Sequence, residues 1–291
     1  MGEGSDPRWA AAVEVLDRIN ASATPPTLVR EGLSLLVRQD GVLVRSRLRS
    51  EEPVAAREVE VARALADAEV PSVPLVAGRG QPWVVDGCVV TAWRWEEVAG
   101  APSPADLGGL ARALRERTVG TYVFDVPRFD PLSAIRSAVA ATPIGDPQGD
   151  FVRRRAQELS GDWARIADRD PAGTAIVHGD LHQDNVLRTA EGALLTDLEL
   201  AGAGPSSYDT APAVVMVERY GASSATLDAF LDAQGSDPRS WSGFATCLAV
   251  YELWVTAWSV GVRDRSPELA AEAAVRVGCL RDQTCEPWRL H

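Results

Sequence analysis

The chain has 291 residues, 46% of them hydrophobic, and a formal charge of −12. That length suits one large domain or two lobes with a sizeable core, which excludes a disordered chain. The acidity argues against a nucleic-acid partner and is compatible with a cationic small molecule, although acidity that only keeps the chain soluble is the plainer reading.

All 29 basic residues are arginine, so any chemistry that calls for a lysine must use an arginine here. Cys88, Cys247, Cys279 and Cys285 form no C-x-x-C pair, which argues against a zinc site. Reduced thiols in a cytoplasmic protein are expected, with a Cys279–Cys285 bridge as the alternative. The opening "MGEGSDPRWA" has no basic leader and no apolar run, so no secretory signal is expected.

In chain order, residues 8–20 predict a short amphipathic helix. "TLVREGLSLLVRQDGVLVRSRL" (27–48) alternates apolar and polar residues and breaks at Gly32 and at Gln39-Asp40-Gly41, which predicts successive antiparallel strands. Residues 51–70 have helical spacing, with Val54, Val61, Ala62 and Leu65 on one side. "PSVPLVAG" reads as extended, and "PWVVDGCVVTAW" as a hairpin turning at Asp86-Gly87. Beyond Trp95, helices are predicted over 104–117, 130–141, 150–168, 225–234, 240–263 and 266–282. "LAVYELWVTAWSVGV" (248–262) contains Glu252, is too short to span a bilayer, and predicts a buried helix. The expectation is an α+β chain in two lobes, a β-rich one over 1–95 and a larger α-rich one over 96–291, joined near 91–100.

Two of the three histidines fall in "HGDLHQDN" (178–185). "VLR", "TAEG" and "ALLT" then read as a hairpin. If Leu187 pairs with Leu195, Asn185 faces Asp197 at the open end, with Asp180 on the entering loop. Three oxygen-bearing side chains in one place suit Mg²⁺ rather than zinc. In that arrangement Asn185 and Asp197 hold the metal, while Asp180 orients a hydroxyl and accepts its proton late in phosphoryl transfer. Asn and Asp also cap turns routinely, but the combined spacing is more specific than capping requires.

"VHGDLHQDNVL", "LLTDLE" and "GPSSYD" together resemble the aminoglycoside phosphotransferase family, relatives of the protein kinases. The resemblance implies a bilobal, protein-kinase-like fold, with Asp180 as catalytic Asp and Asn185 and Asp197 as metal-binding residues. It makes His178 a scaffold of the loop and Asp209 its brace. Leu198 and Glu199 depart from the kinase D-F-G, and Glu199 is a further candidate near the metal. In the first lobe it implies a phosphate loop at Gly32 and Ser34, and Arg45 where a nucleotide-contacting Lys is usual, with Arg47 on the same strand face as competitor. Glu58 would pair with that base, Glu60 lying close by, and backbone groups around Ala92 and Trp93 would meet the purine. Trp93 and Trp95 also read as core aromatics.

The implied acceptor site is in the second lobe, with Asp228, Asp232, Tyr251, Glu252, Trp254, Trp258 and Asp264 as candidates. Glu252 requires a cationic ligand or an internal arginine. The implied activity moves the terminal phosphoryl group of ATP or GTP, with Mg²⁺, to a hydroxyl of a small molecule. A sugar-bearing antibiotic, an aminoglycoside or a nucleoside of the capuramycin type, is the first expectation. A metabolic kinase for a sugar, choline-like amine or amino alcohol is the alternative, and a nucleotide-binding module without turnover the second. No nucleic-acid or membrane partner is expected.

Overall fold

The structure is a computed structural model that describes residues 6–20, 22–76, 80–124, 126–282 and 287–289. Cys285, and with it the Cys279–Cys285 alternative, lies outside the described residues. An antiparallel sheet of five strands forms the first part: β1 (Thr27–Glu31), β2 (Leu35–Gln39), β3 (Val42–Leu48), β4 (Trp83–Val85) and β5 (Cys88–Arg94), in the order β1-β2-β3-β5-β4. The amphipathic α1 (Pro7–Asn20) buries Ala11, Ala12, Val15 and Leu16 against this sheet, meeting Val37, Val44, Val90 and Ala92. The period of two along β3 puts Val44 in that core, and Arg45 and Arg47 together on the opposite face. There they meet α2 (Glu52–Asp67), which carries Glu58 among its buried residues.

The second part is mainly helical, built from α3 (Pro104–Thr118), α4 (Pro131–Ala138), α5 (Pro147–Ile166), α6 (Ala211–Glu218), α7 (Ser224–Gln234), α8 (Phe244–Val262) and α9 (Pro267–Asp282). The starts of these helices are written in short polar residues. Ser103 and Asp106 form a reciprocal capping box on α3, and Asp146 accepts from the first amides of α5. The helix containing Glu252 falls within the predicted 240–263 and extends beyond the 15-residue apolar run at its N-terminal end. Together with its following turn, Phe244–Arg265 is long and apolar enough by composition to cross a bilayer. Cys247, Val250, Leu253, Ala257 and Val260 nevertheless sit in the largest hydrophobic cluster, which identifies α8 as a core helix.

Two small strand pairs complete this part. β6 (Thr174–Val177) pairs with β9 (Gly202–Pro205), and β7 (Val186–Arg188) pairs with β8 (Ala193–Leu195). The expected register of the second pair is off by one residue. Val186, not Leu187, faces Leu195, and the ladder continues with Thr196 N–H donating to Asn185 O at 3.0 Å. Asn185 and Asp197 are therefore not cross-strand partners. The two parts are stitched together by backbone. Val73 N donates to Leu195 O (2.9 Å), Leu195 N to Pro71 O (3.1 Å) and Ala99 N to Arg188 O (2.7 Å). The first two bonds fix the strand leading into Asp197 against the segment that follows α2, and the third ties β7 to the segment after β5.

Candidate active site

The loop after β6 is held by buried polar groups. Asp209 accepts from His178 N at 2.7 Å and from Gly179 N at 2.9 Å. Its carboxyl, only 2% exposed, is pushed above the ordinary range by burial. His178 is fully buried; its Nε2–H donates to Thr196 O at 2.8 Å and its Nδ1 accepts from Asp180 N at 3.3 Å. Gly179 has φ +84°, and a Cβ there would stand 2.6 Å from the Phe129 ring, so only glycine fits the turn. Asn185 donates from Nδ2 to Asp180 O at 2.9 Å, closing the loop on itself, while its Oδ1 accepts no hydrogen bond among the described residues.

Asp180 is delivered at the centre of this loop. Tyr251 of α8 donates its hydroxyl to Asp180 Oδ1 at 3.0 Å, and His182 Nε2 lies 3.6 Å from Oδ2. Burial alone would raise the Asp180 carboxyl, but His182, His178 and the Tyr251 hydroxyl outweigh it and hold the group below its usual range. Burial would lower His182 in turn; Asp180, Asp184 and Asp197 reverse this and raise it. His182 is a contact of Asp180 that sequence reasoning passed over. The signal for it was its place two residues beyond Asp180.

Asp197 reaches the site by a backbone kink rather than by strand register. Its φ of +58° is left-handed, a conformation that few non-glycine residues hold without a local reason. Its Oδ1 accepts from Arg45 Nη1 at 2.8 Å, and the same nitrogen donates to Glu58 Oε1 at 2.7 Å. Burial would lower the Arg45 pKa, but Glu58, Asp197 and Glu199 more than reverse that and raise it. Arg45 Nε and Nη2 make no hydrogen bond among the described residues. Burial would raise Asp197, but Arg45 outweighs it and lowers the carboxyl below its ordinary value. Glu199, at the mouth of the cluster, is pushed up to about 7 by partial burial and the Asp197 and Glu58 carboxylates. Carboxylate oxygens of Glu58, Asp197 and Glu199 lie within 4.8 Å of one another. This all-oxygen set fits a hard cation such as Mg²⁺ and not zinc.

Other sequence candidates fall elsewhere. Gly32 and Ser34 lie in the turn between β1 and β2, with Gly32 N donating to Ser34 O at 3.1 Å. Arg8 of α1 grips this turn through Gly32 O (2.9 Å) and Leu33 O (3.1 Å). Ala92 does not offer its backbone to a ligand, because its N–H donates to Gln81 Oε1 (2.9 Å) and its carbonyl accepts from Val76 N. Trp93 is packed in a hydrophobic cluster and its backbone pairs with Leu43. Further along, the backbone amides of Glu96, Glu97 and Val98 have no hydrogen-bond partner among the described residues. Glu252 has its internal arginine, Arg219 Nε at 2.5 Å. Trp254 packs on the core, Trp258 is 39% exposed, and the Asp264 side chain is 96% exposed. Asp228 and Asp232 lie on exposed positions of α7, lining a depression with Ser236, Asp237 and Arg239. Of the acceptor candidates, only Tyr251 contacts Asp180.

The fold is shared with solved structures. The amicoumacin kinase hAmiN, whose structure is in complex with AMP-PNP, Ca²⁺ and Ami, matches with a TM-score of 0.64 at 15% identity, over 95% of this chain and 95% of that one. Choline kinase LicA from Streptococcus pneumoniae matches with a TM-score of 0.64 at 14% identity, over 92% and 99%. An aminoglycoside-3'-phosphotransferase of type VIII matches with a TM-score of 0.61 at 23% identity, over 86% and 99%. These likenesses show a shared two-part, kinase-like fold. The sequence itself matches the model of the phosphotransferase enzyme family, APH, over residues 31–244. The match spans most of the chain, which therefore belongs to the APH phosphotransferase enzyme family.

Proposed function

We propose that this phosphotransferase moves the terminal phosphoryl group of ATP or GTP to a hydroxyl of a sugar-bearing antibiotic, an aminoglycoside or a nucleoside of the capuramycin type. The observation that carries the reading is Arg45 Nη1 bonded to both Glu58 and Asp197, with Arg45 Nε and Nη2 unbonded among the described residues. Residues 1–95 serve as the nucleotide lobe and 96–291 as the catalytic and acceptor lobe. Arg45 meets the phosphates through its free Nε and Nη2, and the turn at Gly32 and Ser34 covers them. The purine meets the unpaired amides of residues 96–98 rather than Ala92.

Asn185 and Asp197 hold Mg²⁺, with Glu199 as an additional carboxylate. When bound, the cation neutralises charge on the phosphates. Asp180 orients the acceptor hydroxyl and takes its proton late. His178 and Asp209 hold the loop, and Tyr251 fixes the rotamer of Asp180. A cytoplasmic setting would supply the nucleotide.

The test is transfer of label from Mg-ATP and Mg-GTP to a panel of aminoglycosides, nucleoside antibiotics, sugars, choline and amino alcohols. Because Arg219 neutralises Glu252, the panel includes uncharged acceptors. Labelled antibiotic is expected. Label on housekeeping metabolites alone would instead make this a metabolic kinase. Asp180→Ala is expected to abolish transfer while nucleotide affinity stays nearly intact. Equal turnover by the variant would remove Asp180 from the chemistry.

A further inference from the structure

Arg47 stands two residues beyond Arg45 on the same face of β3, with its side chain 2% exposed. Its Nη1 donates to Glu58 Oε2 at 2.8 Å and its Nη2 to Glu58 Oε1 at 3.0 Å, a two-pronged grip. Nη2 also reaches Glu199 Oε2 at 3.2 Å, and Nε lies 3.7 Å from Glu51. Arg45 touches Glu58 through one nitrogen only, at 2.7 Å. One buried glutamate thus serves two guanidiniums, and the forked partner is the stronger of the two. Arg47 has Glu58, Glu199 and Glu51 around it, whereas Arg45 keeps two unbonded donor nitrogens.

We propose that Arg47 is a positioning residue that holds Glu58 and so leaves Arg45 free to grip the nucleotide phosphates. The inference rests on the reading of Arg45 as the phosphate contact. Glu58 is 1% exposed, and a buried carboxylate must find a cation. Without Arg47 the sole cation bonded to Glu58 among the described residues is Arg45, which would fork onto Glu58 and turn its spare donors away from the nucleotide. Glu58 is then a competitor of phosphate, and removing it as well should restore binding.

The experiment measures the dissociation constant of Mg-ADP by calorimetry for wild type, Arg47→Met, Glu58→Gln and the double variant. Arg47→Met is expected to bind about tenfold more weakly, and the double variant to return to within about threefold of wild type, a coupling of rescuing sign. Arg47→Lys, which keeps the charge and loses the fork, is expected to fall between wild type and Arg47→Met. If Arg47→Met does not fold, Arg47→Lys with and without Glu58→Gln gives the same reading. Unchanged affinity in the Arg47 variants, or a double variant no tighter than the single one, overturns the proposal, because loss of buried packing alone gives no rescue. Wild-type affinity in Arg45→Met would instead bring down the phosphate role of Arg45, whatever the cycle shows.

Discussion

Replacing Asp209 with Asn isolates the brace under the catalytic loop. The carboxylate accepts two backbone amides, at 2.7 and 2.9 Å, while only 2% exposed. An amide of the same shape keeps one acceptor oxygen and turns an N–H₂ toward the other donor. One charge-assisted bond is lost, at about 1.5–3 kcal/mol, and one backbone N–H is left buried without a partner, at about 1–3 kcal/mol. Burial pushes the native carboxyl upward, so part of its gain is already offset by desolvation, and Asn does not carry that cost. The net loss should be about 2 kcal/mol, a fall in Tm of roughly 4–8 °C. A shift of Asp180 by a fraction of an ångström to about 1 Å should lower kcat on the order of 10²-fold. Arg45, Glu58 and Asp197 lie off this loop and of the proposed metal holders only Asn185 lies on it, so nucleotide affinity should fall far less than kcat. The assays are thermal unfolding, steady-state kinetics with a panel acceptor, and calorimetry with nucleotide. A variant with lowered Tm but wild-type kcat would refute the claim that Asp209 sets the position of Asp180.

Asp146 caps α5 and is forked by Arg263 at 2.9 and 2.7 Å, tying it to the end of α8. The Arg263 guanidinium, with the Gly149 amide, lowers its carboxyl from 3.8 to about 2. Because the folded state has the lower value, this stabilisation is present above about pH 4 and fades as pH falls through about 2. Asp146→Ala should therefore cost about 1–2 kcal/mol in urea unfolding at neutral pH, and the gap to wild type should shrink toward pH 2. A gap unchanged between pH 7 and 2 would show that the ion pair contributes nothing. Gly179→Ala combines a left-handed φ with a Cβ 2.6 Å from Phe129 and should cost about 2–4 kcal/mol, with activity falling alongside. Urea midpoints and initial rates check it, and a neutral substitution would mean that the loop is not held where it stands.

Much of this was legible in residue patterns, for reasons that are local. Period two made β3 readable, with Arg45 and Arg47 on one face, and helical spacing exposed α2 and the late helices. The link from His178 through Asp180 to Asn185 is a matter of five to eight adjacent positions. What failed was long-range or conformational. The register of β7 and β8 slipped because nothing in "LLTDLE" announces the left-handed φ of Asp197 that does the delivering. β9, spelled Gly-Ala-Gly-Pro, has no branched residue to mark a strand. It pairs with β6, and its glycines let residues 127–129 pack close, since a Cβ at Gly202 would meet Pro127 O at 2.5 Å and one at Gly204 would meet Phe129 at 3.0 Å. Ala92 looked available because the reach of Gln81 across the hairpin is invisible in sequence. Asp228 and Asp232 were nominated by charge, and the packing of α7 against α3 sets them on the outer surface.

The most direct measurement is a crystal structure with Mg²⁺ and a non-hydrolysable ATP or GTP analogue. The expected result puts the cation on Asn185 Oδ1 and the Asp197 carboxylate, Arg45 on a phosphate oxygen, and the terminal phosphate facing Asp180. A triphosphate bound away from these four side chains, in a protein that still transfers phosphate, would contradict it.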